Sequence, residues 1–227
     1  MSGPTRERRA EIGRARREKT RAHLLDTAAR VIAQRGEVGA TIEALIAEAG
    51  VARGTFYNYW CSREDLLNDL WDKVGHDPFR SIQDAQETVS SAAERFSISA
   101  RLTIRRAATD PAWGWLVIAL AGTEQIGKHE LGSYPMVDLN LGIEQGCFRI
   151  ACLEAARDMI VGATISAMKA VLTAGRSSNY PEETTRMLLM ALGLTSDDAA
   201  HVAYAPLPSA ADLTGRSTLM KTFSASA

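Results

Sequence analysis

The stretch TIEALIAEAGVARGTFYNYW, residues 41–60, decides the fold of this chain. In its first half, apolar residues recur at i, i+3, i+4 and i+7, which is the pattern of one helical face. Thr41 is the predicted N-cap of this helix, and Gly50 ends it. A third short helix is predicted over about 54–60. Two short helices joined by a tight glycine-containing turn are typical of the helix-turn-helix unit, whose second helix enters the DNA major groove.

The third helix is predicted to have one buried and one outward face. Phe56 and Trp60 are four residues apart, so both are expected to pack on the apolar face of the preceding helix, at Ile42, Leu45 and Ile46. Arginine can bond guanine in bidentate fashion and asparagine can bond adenine, whereas tyrosine and threonine hydroxyls suit phosphates. The outward residues are of these types: Arg53, Thr55, Tyr57, Asn58 and Tyr59.

The rest of the chain is predicted to be helical, because no alternating strand pattern bounded by hairpin turns is found. The expected order begins with a polar, mobile segment over 1–18. A helix over 19–34 follows and is expected to end at Gly36 and Gly39. A helix capped by Ser62 should break near Gly75 and Pro78. Later helices are expected over 80–108, from Pro111, over 136–145, over 153–174 and from Pro181 with an interruption at Gly193, with a loop at 127–135.

The charge of the chain is unevenly distributed. The whole chain has a net charge of −1, yet residues 1–60 hold eleven Lys and Arg against seven Asp and Glu, a net charge of +4. The remaining residues therefore carry −5. A basic head on an acidic body is what a polyanion-binding protein requires, because neutralisation of phosphates dominates nucleic-acid affinity.

Several classes of protein are disfavoured by the sequence. No apolar run is long enough for a membrane helix, and no signal-peptide core follows the basic N-terminus, so a cytoplasmic protein without membrane association is expected. The three cysteines lack metal-ligand spacing, and no phosphate loop, GxSxG or HExxH motif is present. We therefore expect no catalytic site, no metal and no cofactor.

Over about residues 19–67 the sequence resembles the tetracycline-repressor (TetR) family of regulators. The resemblance rests on the successive patterns TIxxLIAxAGV, GTFYxYW and SREDLL. It departs from the family at Trp60, where Phe is usual, and at Arg63, where Lys is usual. The family's DNA contacts fall on these positions, which we predict to be the DNA-binding residues: Thr41, Arg53, Gly54, Thr55, Tyr57, Asn58, Tyr59 and Arg63.

The resemblance also implies an all-α architecture in two parts: an N-terminal three-helix DNA-binding domain and a larger helical domain for ligand binding and dimerisation. The expected division is a flexible basic arm over 1–18, the helix-turn-helix domain over 19–66, the effector-binding and dimerisation domain over 67–205, and a flexible tail over 206–227. The arm could reach an adjacent minor groove, as homeodomain arms do.

The expected effector is a small hydrophobic or planar molecule, because the apolar side chains of the second domain are of the kind that line ligand cavities. His76 and His129 could meet polar groups of such a ligand. The implied mechanism is a population shift in which the ligand favours a conformer with displaced recognition helices. The predicted ligand-binding residues are Trp113, Trp115, Ile118, Met136, Leu139, Phe148 and Met168.

A homodimer is expected to form through the last two long helices. Small residues recur along 153–174 and would let helices approach closely, although they could instead pack only within one protomer. One short recognition helix gives little affinity, so two half-sites of double-stranded operator DNA are normally needed. The alternatives to a repressor are a transcriptional activator, since operator position decides the sign, and a helical interaction or scaffold protein whose helix-turn-helix is only structural.

Overall fold

A computed structural model describes residues 6–86, 88–121 and 130–208 of the chain, and all regular structure in these ranges is α-helical. His129, part of the loop expected at 127–135, and residues 209–227 of the expected tail lie outside the described residues. No helix in the described ranges is long and apolar enough to cross a bilayer. The helices are α1 (Arg6–Gly39), α2 (Ile42–Ala49), α3 (Arg53–Tyr57), α4 (Arg63–Val74), α5 (His76–Ala85), α6 (Ala92–Thr109), α7 (Pro111–Ala121), α8 (Glu130–Glu144), α9 (Leu153–Thr173), α10 (Tyr180–Ala191) and α11 (Ser196–Tyr204).

Helix α1 begins at Arg6, well before the start expected near Lys19. Its first turns contain mostly Arg, Glu and Ala, which are good helix formers, so the helix continues through the segment expected to be a separate arm. The helix is interrupted at Gly36 (φ 67°, ψ −172°), where the sequence predicted its end, and one further helical turn follows.

The helix-turn-helix is built by local capping. The Thr41 hydroxyl accepts a hydrogen bond from the Ala44 amide at 3.1 Å, and Gly50 ends α2 in the left-handed conformation (φ 66°). Helix α3 ends at Tyr57, earlier than expected, and a turn leads to Trp60. Phe56 and Trp60 are both buried beside α2, as their spacing predicted.

Helix α4 starts in a capping box, in which the Ser62 hydroxyl accepts from the Asp65 amide and Asp65 accepts from the Ser62 amide. The chain breaks at Gly75 between α4 and α5, as expected. The single helix expected over 80–108 is wrong, because α5 ends at Ala85 and Ser91 caps α6 separately. The loop expected up to Pro135 is also wrong from residue 130 onward, because α8 contains that proline within its helix.

Buried side chains form two clusters. The first is continuous from α1 through α4 to α7, so the helix-turn-helix and part of the following domain share one core. The second joins α6 and α8 to the last three helices, around Phe96, Leu139, Phe148 and Leu189. Gly193 (φ 108°) separates α10 from α11, at the interruption predicted there.

Gly36 is expected to tolerate substitution less well than Gly50. Both have positive φ, but the φ/ψ combination of Gly36 is one that essentially only glycine adopts, and a Cβ there would lie 3.4 Å from the Trp115 ring. Gly50→Ala would meet no neighbour within 4 Å. We expect Gly36→Ala to lower the free energy of unfolding by about 2–3 kcal/mol and Gly50→Ala by about 1 kcal/mol, measured by urea denaturation. An equal or smaller loss at Gly36 would contradict this assignment.

Candidate DNA-binding surface and effector cavity

The predicted recognition surface lies on the outward side of α3. Arg53, Gly54, Tyr57 and Asn58 are exposed, while Thr55 and Tyr59 are half-buried. The buried Phe56 lies between them and fixes the short helix on the core. The structure therefore brings six of the predicted DNA-binding residues together on one continuous surface.

Arg53 is 62% exposed in its side chain and is oriented by two neighbours. Its guanidinium lies 3.2 Å from a Glu43 carboxylate oxygen and donates a long hydrogen bond of 3.5 Å to the Tyr57 hydroxyl. These contacts, led by the hydrogen bond to Tyr57, raise the pKa of Arg53 above its usual range. The side chain thus remains charged and points from the start of α3 toward solvent, where a base edge or a phosphate could replace Glu43.

Tyr59 has a partner that sequence reasoning missed. Its hydroxyl donates to the Arg17 carbonyl at 3.1 Å, and the Arg17 guanidinium donates to the Asn58 carbonyl at 3.0 Å. The same guanidinium lies 5.5 Å from the centroid of the Tyr59 ring. These contacts fasten α1 to the end of α3. No local pattern could have identified them, because the partners are more than forty residues apart in the chain.

Thr41 and Arg63 flank the recognition surface and both make internal hydrogen bonds. Arg63 donates to the carbonyls of Ala40 and Glu37, each at 2.9 Å, which joins the start of α4 to the corner between α1 and α2. The Thr41 hydroxyl is the N-cap of α2. Both residues therefore shape the helix-turn-helix, and their phosphate contacts stay predictions.

A cavity lies between α5, α6, α7, α8 and α9. Its volume is about 90 Å³, several times the space that one buried water needs. Its surface is mainly apolar, and its polar side chains come from α5, α6, α8 and α9. The lining residues are Phe79, Ile82, Gln83, Phe96, Ser99, Ala100, Thr103, Val117, Ala121, Pro135, Asp138, Ile160, Val161, Thr164, Ile165 and Met168.

Asp138 is the charged residue of the cavity lining, and it is 3% exposed. Arg95 donates to one of its carboxylate oxygens at 2.9 Å and to the Gln86 carbonyl at 2.9 Å. Ser99 donates to the Gln86 side chain at 2.8 Å, which extends the hydrogen-bonded network along the wall. Burial raises the pKa of Asp138, and the bond and charge of Arg95 oppose that shift. The wall can accept hydrogen bonds from a ligand, since a carboxylate accepts more than one.

Of the seven residues predicted to bind the ligand, only Met168 lines this cavity. The other six pack in or against the two cores, because apolar positions of neighbouring helices face each other there rather than the cavity. His76 opens α5, but its side chain is not among those described. The six residues are Trp113, Trp115 and Ile118 in the first cluster, and Met136, Leu139 and Phe148 in the second.

Phe79 connects the cavity with α4. It lines the cavity, and its ring lies 5.7 Å from the Trp71 ring of α4 and 5.1 Å from the Trp113 ring of α7, centroid to centroid. The Trp113 indole also donates to the carbonyl of Gly75, at the break between α4 and α5, at 3.3 Å. Three aromatic rings therefore join the cavity wall to the helix that follows the recognition helix.

Two family models match most of the described chain. Residues 24–70 match the bacterial regulatory proteins of the tetR family, and residues 91–205 match the tetracyclin repressor-like C-terminal domain. A curated relative, the HTH-type transcriptional regulator AcrR of Shigella flexneri, is 33% identical over 55 residues. That match covers 24% of this chain and 26% of the relative, so the chain spans about a quarter of that protein's length.

Solved structures resemble the chain over nearly their whole length. RolR in complex with the ligand resorcinol is 28% identical, with 86% of this chain and 98% of RolR covered and a TM-score of 0.68. RolR without ligand is 26% identical, with 83% of this chain and 98% of RolR covered and a TM-score of 0.63. A tetR family regulator from Shewanella sp. PV-4 is 16% identical over 78% of this chain and 99% of its own, with a TM-score of 0.61, which supports the fold alone.

The two family matches agree with the structure. One falls on the helix-turn-helix, and the other falls on the helical C-terminal domain that contains the cavity. The chain belongs to the tetracycline-repressor (TetR) family of DNA-binding transcription regulators.

Proposed function

We propose that this regulator is a homodimeric repressor that leaves its operator when a small hydroxylated aromatic compound occupies the cavity. The observation that carries this proposal is the combination of an apolar cavity, a buried carboxylate on its wall, and a chain of aromatic rings from that wall to α4. Each part of the proposal rests on separate residues and can fail separately.

Operator reading is assigned to the exposed residues of α3. Arg53 and Asn58 carry the two side-chain types that make bidentate contacts with guanine and adenine in the major groove. Tyr57 is 44% exposed and is oriented by Arg53, so it suits a neighbouring phosphate. We assign base reading to Arg53 and Asn58, and positioning on the backbone to Tyr57, Thr55 and the amide of Gly54.

The effector class follows from the two kinds of surface in the cavity. Phe96, Val117 and Met168 offer an apolar enclosure that suits a ring, while Asp138 and Ser99 offer oxygen acceptors that suit hydroxyl groups. RolR, the relative with the highest TM-score among those described above, has been solved with resorcinol, a small dihydroxylated ring. Resorcinol is therefore the first compound to test on this chain.

Release of DNA is assigned to the three rings. A ligand in the cavity contacts Phe79, and any shift of that ring acts directly on Trp71 of α4 and on Trp113. Gly75 gives the chain a break at this point, and a Cβ there would collide with the Trp71 ring at 2.1 Å. A ligand that favours a different arrangement of these rings would reorient α4 and the recognition helix before it.

Dimerisation is assigned to α9 and α10, where apolar groups are left exposed. Met159 and Met187 are 39% and 63% exposed, and Met190 is 37% exposed. Gly162 on α9 is exposed, and a Cβ there would meet no neighbour within 4 Å, so a second copy could approach closely at that position. Two helices from each protomer would then form a four-helix bundle across a two-fold axis.

Replacing Arg53 should weaken operator binding and relax base preference. Loss of a bidentate contact costs about 1–3 kcal/mol, so Arg53→Ala is expected to raise Kd about 5- to 150-fold, most strongly on the preferred base. The measurement is fluorescence anisotropy on a selected operator and on single-base variants of it. Arg149→Ala, an exposed arginine of the C-terminal domain, is the control and should bind like wild type. Unchanged affinity and base preference in Arg53→Ala would contradict this assignment.

Replacing Asp138 should weaken binding of a hydroxylated ring. A hydrogen bond to a charged group contributes about 1.5–3 kcal/mol, so Asp138→Asn is expected to weaken resorcinol binding at least tenfold in calorimetry. Asp197→Asn, an exposed carboxylate on α11, is the matched control. Wild-type protein that releases operator with a hydroxyl-free ring but not with resorcinol would contradict the effector class.

Measuring resorcinol binding and operator release on one variant separates ligand binding from the release of DNA. Phe79→Leu keeps an apolar wall but removes the ring that touches Trp71 and Trp113. It should bind resorcinol within a few-fold of wild type and yet remain on the operator at ligand concentrations that release wild type. Release at wild-type ligand concentrations would show that the rings do not transmit the signal.

A charge on α10 should break the dimer. Met187→Glu is expected to shift the protein from dimer to monomer in sedimentation velocity, because an unpaired charge in an apolar interface is strongly unfavourable. Val137→Glu on α8 is the matched control, since Val137 is 60% exposed and Met187 is 63% exposed. A Met187→Glu protein that stays dimeric would place the interface elsewhere.

A further inference from the structure

We infer that residues 6–18, the helical extension of α1, are a second DNA-contacting element whose arginines bind the phosphate backbone beside the bases that α3 reads. This inference rests on the proposed operator binding and adds a contact outside the helix-turn-helix. Three observations support it: the contacts between the extension and α3, the positions of its charged residues, and the width of an α-helix.

The extension is fastened to the recognition surface at its root. Arg17 and Tyr59 exchange contacts in both directions: the tyrosine hydroxyl bonds the Arg17 carbonyl, and the Arg17 guanidinium bonds the Asn58 carbonyl and lies over the Tyr59 ring. Asn58 is itself one of the exposed residues at the end of α3. The helix therefore leaves the domain at the edge of the surface that faces DNA.

Helical spacing places two arginines of the extension opposite its acidic residues, whereas Arg14 falls on the acidic side. Arg9 and Arg16 are seven residues apart and share a stripe with His23, whose ring lies 3.2 Å from the Ala49 carbonyl at the end of α2. This stripe therefore runs on the side of the turn that leads into α3. Glu11 and Glu18 are also seven residues apart, and at 100° per residue they fall on the opposite side of the helix.

Four arginines of this extension have no acidic partner among the described residues. Arg8, Arg9, Arg14 and Arg16 are all exposed, and no described carboxylate lies within ion-pair distance of them. Cations near the N-terminus of a helix are disfavoured by the helix dipole, so this arrangement does not stabilise the protein alone. It becomes favourable where phosphates neutralise the guanidinium groups and counterions are released.

A helical extension also changes which part of DNA the segment can contact. An α-helix with side chains is about 10–12 Å across and the minor groove is about 6 Å wide, so residues 6–18 cannot enter that groove as an extended arm would. The contact inferred here is therefore with the phosphate backbone, in place of the minor-groove contact expected from the sequence. Thirteen residues of helix span about 20 Å, which equals about six base-pair steps of the DNA axis at 3.4 Å each.

The test is the salt dependence of operator binding by the full chain. Each phosphate contact contributes about 0.9 to the slope of log K against log salt, so Arg9→Gln with Arg16→Gln should reduce the slope by about 1.8 per protomer. Base preference should be unchanged, because phosphate contacts carry no sequence information. Neutral methylphosphonates at the contacted positions should weaken wild type and leave the double variant unaffected.

The control is Arg149→Gln with Arg176→Gln, which makes the same change in net charge on exposed residues of the C-terminal domain. Far-UV circular dichroism should show equal helix content in both double variants. If wild type binds operator but Arg9→Gln with Arg16→Gln keeps its slope, or if the control loses as much, the extension is not a DNA contact. If wild type shows no salt-dependent binding to duplex DNA, the proposed function itself fails.

Discussion

The packing of α7 against α1 and α4 is the contact on which the rest of this structure depends. Trp115 fills the space beside Gly36, where the long first helix breaks, and Trp113 donates to the Gly75 carbonyl, where α4 meets α5. The same helix contributes Val117 and Ala121 to the cavity. A single apolar helix therefore supports the DNA-binding helices with one face and encloses the cavity with another, so neither part can be repacked without the other.

The sequence predicted those parts of the fold that local chemistry determines. Thr41 and Ser62 cap helices as expected because an N-cap bonds an amide only three residues away. Phe56 and Trp60 are buried beside α2 as expected because four-residue spacing places them on one face. The family resemblance, confirmed by the matches over 24–70 and 91–205, added the architecture that such local rules cannot supply.

The cavity could not be predicted in the same way. Trp113 and Leu139 are completely buried in packed cores, whereas Phe96 and Met168 line the cavity, yet all four are apolar residues on helical faces. Only the mutual placement of five helices decides which apolar face meets a partner and which meets empty space. The anchor of the α1 extension was missed for a related reason, because it joins Arg17 to Tyr59 across forty-two residues, whereas the extension itself follows from local helix-forming residues.

The shared first core has a consequence for how the protein unfolds. Because buried side chains are continuous from α1 to α7, the DNA-binding helices have no separate core that could melt independently. Cooperative melting of this region would be one transition rather than two. A compound that binds the folded cavity would then raise the melting temperature of the recognition helix as well, by mass action, and under the proposed function the same compound lowers the affinity of that helix for DNA. Thermal protection and operator release would be opposite readouts of a single binding event.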